Sequence, residues 1–231
     1  MENLSKENRK EDFVTIVFVR HAKTDTTGMV LPGRAPGLHL SEEGRQQAFQ
    51  FAERLKDTFP VSAIYSSPLE RALATAKPSA ETLGLPVVQD PRLYECDFGD
   101  WTKAPLADLN KLPEWKSLMK HPETFRFPGG ESFEELEQRL VSFITDMRAI
   151  HGGETVLAFS HADPIKVALV LGLSLGLKNL HKMTVSTASA SVLLYSSQKT
   201  IVLSMNSQTH ILDTHELGAL VSHITEEETG N

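Results

Sequence analysis

Val14-Thr15-Ile16-Val17-Phe18-Val19 runs without interruption into Arg20-His21. A strand with one wet face alternates apolar and polar residues, so a continuous run of this kind suits a strand buried on both faces. Thr155-Val156-Leu157-Ala158-Phe159 has the same character and runs into Ser160-His161. Buried strands separated by helical patterns imply parallel pairing through right-handed crossovers. The predicted fold class is therefore α/β: three layers, α/β/α, with a mostly parallel central sheet.

The rest of the chain fits around these two strands. A Gly- and Pro-rich loop occupies Thr26 to Gly37. Ser41 then caps a helix with Ala48, Ala52, Leu55 and Phe59 at core-facing spacing. Ser62–Tyr65 and Pro86–Val88 read as short strands. Between them Ser67-Pro68-Leu69-Glu70 reads as a capping box with proline at the first helical position. Ser132-Phe133-Glu134-Glu135 is a second capping box, opening a helix with Leu136, Leu140, Phe143, Ile144 and Met147 on one side. Asp163 and Pro164 start another helix, and Ser191–Tyr195 and Ile201–Met205 resemble strands completing a sheet edge. The irregular stretch 97–131 is expected to cover the mouth of the sheet, with Trp101, Trp115, Phe125 and Phe127 packing beneath it. No repeat or low-complexity linker divides the chain. Residues 13–212 are read as one domain between polar tails at 1–12 and 213–231.

Composition narrows the functional classes. The chain has 231 residues, 40% hydrophobic and 23% charged, with a formal charge of −7. An acidic balance argues against nucleic-acid binding, though a local arginine cluster can still receive an anion. The single cysteine, Cys96, excludes an internal disulfide and a paired-cysteine metal site. The charged N-terminus is not a signal peptide, and the longest apolar run, Val167 to Leu177, falls short of the ~20 residues a membrane span needs. A cytoplasmic protein with no membrane association is expected.

The chemistry gathers at the strand ends. Ligands of open α/β sheets bind at the carboxyl ends of strands, which places His21 and His161 in that crevice. Arg71 falls in the first turn of the helix after Ser67, where a cation opposes the helix dipole and suggests an anion to bind. Arg20, Arg71 and two imidazoles would suit a dianionic phosphoryl group, held by bidentate guanidinium contacts and attacked in line by a neutral ring nitrogen. The leaving oxygen also needs a proton donor. Glu95 is the candidate carboxyl, although spacing alone does not bring it to the histidines.

Other chemistries fit less well. Gly172-Leu173-Ser174-Leu175-Gly176 matches a serine-hydrolase elbow, with Asp213 and His215 following in acyl-hydrolase order. Such an elbow must follow a strand, whereas this one follows a helical segment. No phosphate-binding loop of the G-x-x-x-x-G-K-[ST] type is present, and Cys96 lacks the downstream arginine of a cysteine phosphatase. His161-Ala162-Asp163 has no second ligand at helical spacing to make a metal site.

Four segments in order carry a family likeness: Val19-Arg20-His21-Ala22-Lys23-Thr24, Tyr65-Ser66-Ser67-Pro68-Leu69-Glu70-Arg71-Ala72, the stretch from Glu95 to Trp101, and Phe159-Ser160-His161-Ala162. From Val14 to about Met205 the chain resembles the histidine phosphatase superfamily, whose fold is phosphoglycerate mutase-like. The resemblance implies a phosphohistidine on His21, a phosphate pocket of Arg20, Arg71 and His161, and Glu95 as proton donor. It further implies contacts to phosphoryl oxygens from Thr24 and the backbone N–H of Ala162. No metal or organic cofactor is expected, and the partner is a small phosphorylated metabolite; the oligomeric state stays open.

Gly33-Arg34-Ala35-Pro36-Gly37 and Phe127-Pro128-Gly129-Gly130-Glu131-Ser132 resemble small bacterial phosphatase and phosphomutase branches. Arg34 is carried as a substrate-contacting residue, with loop decoration as the other reading. Ala22, Lys23, Thr27 and Lys103 depart from the family pattern. Hydrolysis of a small phosphomonoester is the expected activity, because only the stretch from about Phe98 to Gly130 can cover the site. Phosphomutase turnover is the alternative, with non-catalytic phospholigand binding and acyl hydrolysis more distant.

Overall fold

In the computed structural model, which describes residues 13–58 and 60–209, the first apolar run becomes β1 (Phe13–Arg20), buried along its length except at Arg20. The second becomes β4 (Thr155–Ser160), wholly buried and parallel to β1, with Arg20 opposite Ser160. β2 (Ala63–Ser66) pairs in parallel with β4 on its other side, and β3 (Val87–Gln89) pairs in parallel with β2. β5 (Ala190–Ser196) and β6 (Thr200–Ser207) add an antiparallel edge, giving the order β3-β2-β4-β1-β5-β6. The expected mostly parallel sheet is thus present, with Ser191–Tyr195 and Ile201–Met205 inside its antiparallel edge.

Burial on both faces of β1 follows from the period of two along a strand. Val14, Ile16 and Phe18 pack with α5 (Phe133–Ile150) and α6 (Ala162–Gly172). Val17 and Val19 pack the other way, with Phe51 of α1 (Glu42–Arg54) and Ala76 of α2 (Glu70–Leu83). Helices therefore cover both faces. The Ser132 capping box forms as expected, and Leu136, Leu140, Phe143, Ile144 and Met147 are all buried. No helix among the described residues is long and apolar enough to cross a membrane.

Two local expectations change. Ser67 does not cap a helix: α2 starts at Glu70, with Leu69 as an extended cap that makes no side-chain bond. Ser67 Oγ instead accepts from Leu69 N–H at 3.3 Å and bonds His161 Nε2 at 2.8 Å, while Glu70 accepts from Gly37 N–H at 3.0 Å. Both halves of the apparent box thus have longer-range partners. The helix capped by Ser41 ends at Arg54, and buried Leu55 continues into a tighter turn, Leu55–Asp57. Phe59, both tails, Asp213 and His215 lie outside the described residues.

Gly172 is the last residue of α6, so the G-x-S-x-G match follows a helix, as its sequence context suggested. Stretch 97–131 contains α3 (Leu106–Leu109) and α4 (Pro113–Lys120). Trp101 packs in tilted contacts with Trp115 and Phe125 and edge-to-face with Phe127, at centroid distances of 6.0, 5.6 and 5.7 Å. These aromatics pack under the segment and anchor it beside the sheet.

Candidate active site

Three neighbouring strands, β2, β4 and β1, deliver the two arginines and two histidines from their carboxyl ends. Arg20 is the last residue of β1, with His21 just beyond it, and His161 follows β4. Arg71 comes from the first turn of α2, just after β2. Because β1 and β4 are hydrogen-bonded neighbours, the two imidazoles meet with ring centroids 5.2 Å apart. His21 lines a cavity of about 320 Å³ together with Arg20, Thr24, Arg71, Glu95 and Ala162, whereas His161 is wholly buried and is not among the lining residues. That volume lies at the small end of ligand pockets, roughly 300–1,000 Å³.

His21 is held in one tautomer. Its Nδ1 lies 2.8 Å from the Ala22 carbonyl and can only donate to it, which fixes the tautomer and leaves Nε2 with its lone pair. Burial, then the charges of Arg71 and Arg20, push its pKa well below the ordinary value, so the ring is neutral. His161 is neutral for the same first cause, with Arg71 and His21 next. When Ser67 O–H donates to its Nε2, its proton sits on Nδ1, a buried atom without a partner among the described residues.

Arg71 is wholly buried. One nitrogen, Nη2, donates to the Gly33 carbonyl at 2.8 Å, while Nε and Nη1 have no partner among the described residues. Arg20 likewise spends Nη1 on the Val185 carbonyl and leaves Nε unmatched. Burial lowers the pKa of both guanidinium groups, and Glu95 is the largest opposing influence on each. Buried donors without partners are costly, and an anion between the arginines would satisfy them.

Glu95 is buried at the same cavity, a proximity that spacing could not supply. Its Oε1 accepts from Cys96 N–H at 3.0 Å. Burial first, then the Asp163 charge, raise its pKa to about 7 against the opposing pull of Cys96 N–H, Arg71 and Arg20. A carboxyl group poised there can give and take a proton near neutrality.

Further residues hold this arrangement. Thr75 Oγ1 accepts from Ala22 N–H at 2.9 Å and donates to the Arg71 carbonyl at 2.7 Å, tying the loop after His21 to α2. Gly44 lets α1 press on that loop, since a Cβ there would stand 2.0 Å from the Lys23 carbonyl oxygen. Glu131 accepts from Arg34 Nη2 at 3.0 Å and Arg139 Nε at 2.8 Å, and both arginines also donate to the Glu95 carbonyl. Arg34 is therefore not brought to the cavity. Its guanidinium is occupied in fixing the turn that carries Glu95, and it does not line the pocket.

The departures from the family pattern fall into place. Ala22 has no positive φ, so its Cβ is tolerated. Lys23 turns away to pair with Glu43 on α1. Thr27 lines the cavity, and its Oγ1 accepts from Thr24 N–H at 2.9 Å. Lys103 has φ +67°, the backbone state in which glycine is favoured. Among the described residues no cluster of three or more His, Cys, Asp or Glu is placed to hold a metal ion.

The family model described as histidine phosphatase superfamily (branch 1) matches residues 16–208, most of the chain. The chain belongs to the histidine phosphatase superfamily. Phosphoserine phosphatase 1 of Hydrogenobacter thermophilus is 30% identical over 203 residues, covering 86% of this chain and 94% of that protein. A probable phosphoglycerate mutase of an Enterobacter species is 32% identical over 162 residues, 68% of this chain and 75% of the relative. Several mycobacterial relatives are longer: the chain spans about half, 49%, of one described as bifunctional. Among solved structures, mycobacterial glucosyl-3-phosphoglycerate phosphatase superposes with a TM-score of 0.76 at 26% identity, covering 84% of this chain and 99% of that one. As a histidine phosphatase, the chain carries its cavity where three central strands end.

Proposed function

We propose that this histidine phosphatase hydrolyses a small phosphomonoester through a phosphohistidine on His21. Nε2 of His21 attacks phosphorus, while Arg20, Arg71, His161 Nδ1–H and the Ala162 amide hold the phosphoryl oxygens and Thr24 borders them. Glu95 protonates the departing alkoxide, then accepts a proton from the water that attacks the phosphohistidine. The observation carrying this reading is the buried Arg71 guanidinium, with two nitrogens unmatched among the described residues, beside a neutral His21 whose Nε2 keeps its lone pair. Arginines and imidazoles supply the positive charge, so no divalent metal is called for. A cytoplasmic location fits a chain whose single cysteine is buried and unpaired.

The named substrates of the relatives differ, so the ester is left to the chain's own residues. Acid-labile, base-stable label from an aryl phosphate is expected on the wild-type chain and absent from His21→Ala, with hydrolysis unaffected by chelator. Label persisting in the variant, or chelator loss restored by one metal, would contradict the mechanism. Mutase turnover is the second reading, favoured by the phosphoglycerate mutase relative.

A further inference from the structure

We propose that the Asp163–Lys166 ion pair is the leaving-group subsite of this cavity and selects a phosphomonoester whose alcohol is zwitterionic, bearing one ammonium and one carboxylate. The proposal rests on the phosphatase reading and adds the substrate class to it.

Asp163 and Lys166 both line the cavity. They sit one turn apart on α6, with Nζ 3.1 Å from Oδ1, and their side chains are only 13% and 17% exposed. Arg20, Arg71 and His161 already serve the phosphoryl oxygens, so the pair is not needed to hold them, although the Asp163 charge also helps raise the Glu95 pKa. An apolar set of Val30, Leu31, Pro32, Phe98 and Leu106 shares the lining. It offers nothing charged to a ligand. When an ester fills the cavity and displaces water, both members of the pair lose hydration, a loss that only matching charges repair well.

Charge balance points the same way. Arg20, Arg71 and Lys166 give three formal cations, and Asp163 with a phosphoryl dianion gives three anions. With Glu95 as a neutral acid the filled site is balanced, so a leaving group with net charge of either sign would upset it. A neutral polyol would keep the balance but would answer two ionic groups with dipoles alone. A zwitterion answers both: its carboxylate on a remaining Lys166 N–H, its ammonium on the Asp163 carboxylate, each of which can take another partner.

The test compares phosphate release from four esters of similar size: O-phosphoserine (zwitterionic), phosphoethanolamine (cationic), 3-phosphoglycerate (anionic) and glycerol 3-phosphate (neutral). O-Phosphoserine is expected to lead in kcat/KM by about tenfold or more, a barrier difference of roughly 1.4 kcal/mol. Asp163→Asn should move the ranking toward 3-phosphoglycerate and Lys166→Gln toward phosphoethanolamine, each ratio taken against the same variant's hydrolysis of an aryl phosphate. Opposite shifts are the signature of a subsite; a structural role would depress all four esters together. Calorimetric binding of the same esters to the His21→Ala chain reads the subsite without turnover. Absence of aryl phosphate hydrolysis by the wild type sinks the phosphatase reading alone, and the binding order still decides this one. Leadership by any other ester, or parallel losses in both variants, overturns the zwitterion assignment.

Discussion

Among single residues, Glu95 has the most testable chemistry. Burial and Asp163 hold its pKa up at about 7, far above an exposed carboxylate. A proton donor works only while protonated, so phosphorylation of the enzyme by an alkyl ester should fall as pH rises through about 7. Glu95→Gln should remove that limb and slow single-turnover phosphorylation by alkyl esters about 10²–10⁴-fold. An aryl ester, whose leaving oxygen needs little help, should lose far less. Equal losses on both would reassign Glu95 to binding. Lys103 is the second informative residue. Its φ of +67° costs a residue with a Cβ on the order of 1–2 kcal/mol, while its N–H bond to the Leu31 carbonyl at 2.7 Å needs no side chain. Lys103→Gly relieves that strain but gives the unfolded chain about 0.4–1 kcal/mol of extra entropy. The net expectation is a gain of up to about 1 kcal/mol by denaturant unfolding; a clear loss would show that the lysine side chain is itself anchored.

At the scale of elements, β1 and β4 were legible because burial on both faces leaves an unbroken apolar run, and few other local structures produce one so short. The histidines were legible with them, since a strand's carboxyl end fixes where the next residue goes. The start of α2 was not, because Ser67 and Glu70 satisfy a local capping pattern yet bond His161 and Gly37, partners 94 and 33 residues away. Arg34 shows the same limit: a loop arginine near a phosphate site reads as a ligand contact, but Glu131, 97 residues on, takes it. Thr75 had a signal that was missed, since a hydroxyl one turn beyond Arg71 shares its face of α2. Glu131 makes the clamp on the Glu95 turn testable. It is nearly buried between Arg34 and Arg139, and Glu131→Gln would leave both cations short of charge. A stability loss of about 1–3 kcal/mol is expected. Alkyl ester activity should fall more than aryl activity, because it is the proton donor that is displaced. Loss of stability with an unchanged alkyl-to-aryl ratio would confine the clamp to a structural role.

For the molecule as a whole, hydrolysis and mutase turnover share every residue discussed so far, and the difference is what reaches the phosphohistidine first. A mutase must keep water out while its intermediate turns round, which calls for an extensive closing cover. Among the described residues, the cover here is a short pairing of two loops: Val30 bridges Pro105, Leu31 N–H donates to the Ala104 carbonyl at 2.9 Å, and Leu106 N–H donates to the Met29 carbonyl at 2.9 Å. Aromatic packing of Phe98 on Phe127, at 4.8 Å between centroids, fixes one side of it to the core. This is a braced rim with little chain to fold over the cavity, and Met29 at its edge stands 66% exposed. Water should therefore reach the intermediate readily. Given 2- or 3-phosphoglycerate with a bisphosphorylated primer, the chain is expected to release inorganic phosphate faster than it interconverts the two isomers. Should isomerisation outrun release by more than about tenfold, roughly 1.4 kcal/mol in barrier, the braced rim would have to open and close as a lid. The phosphohistidine chemistry would stand unchanged, and the error would lie in reading a rigid loop pair as a permanently wet one.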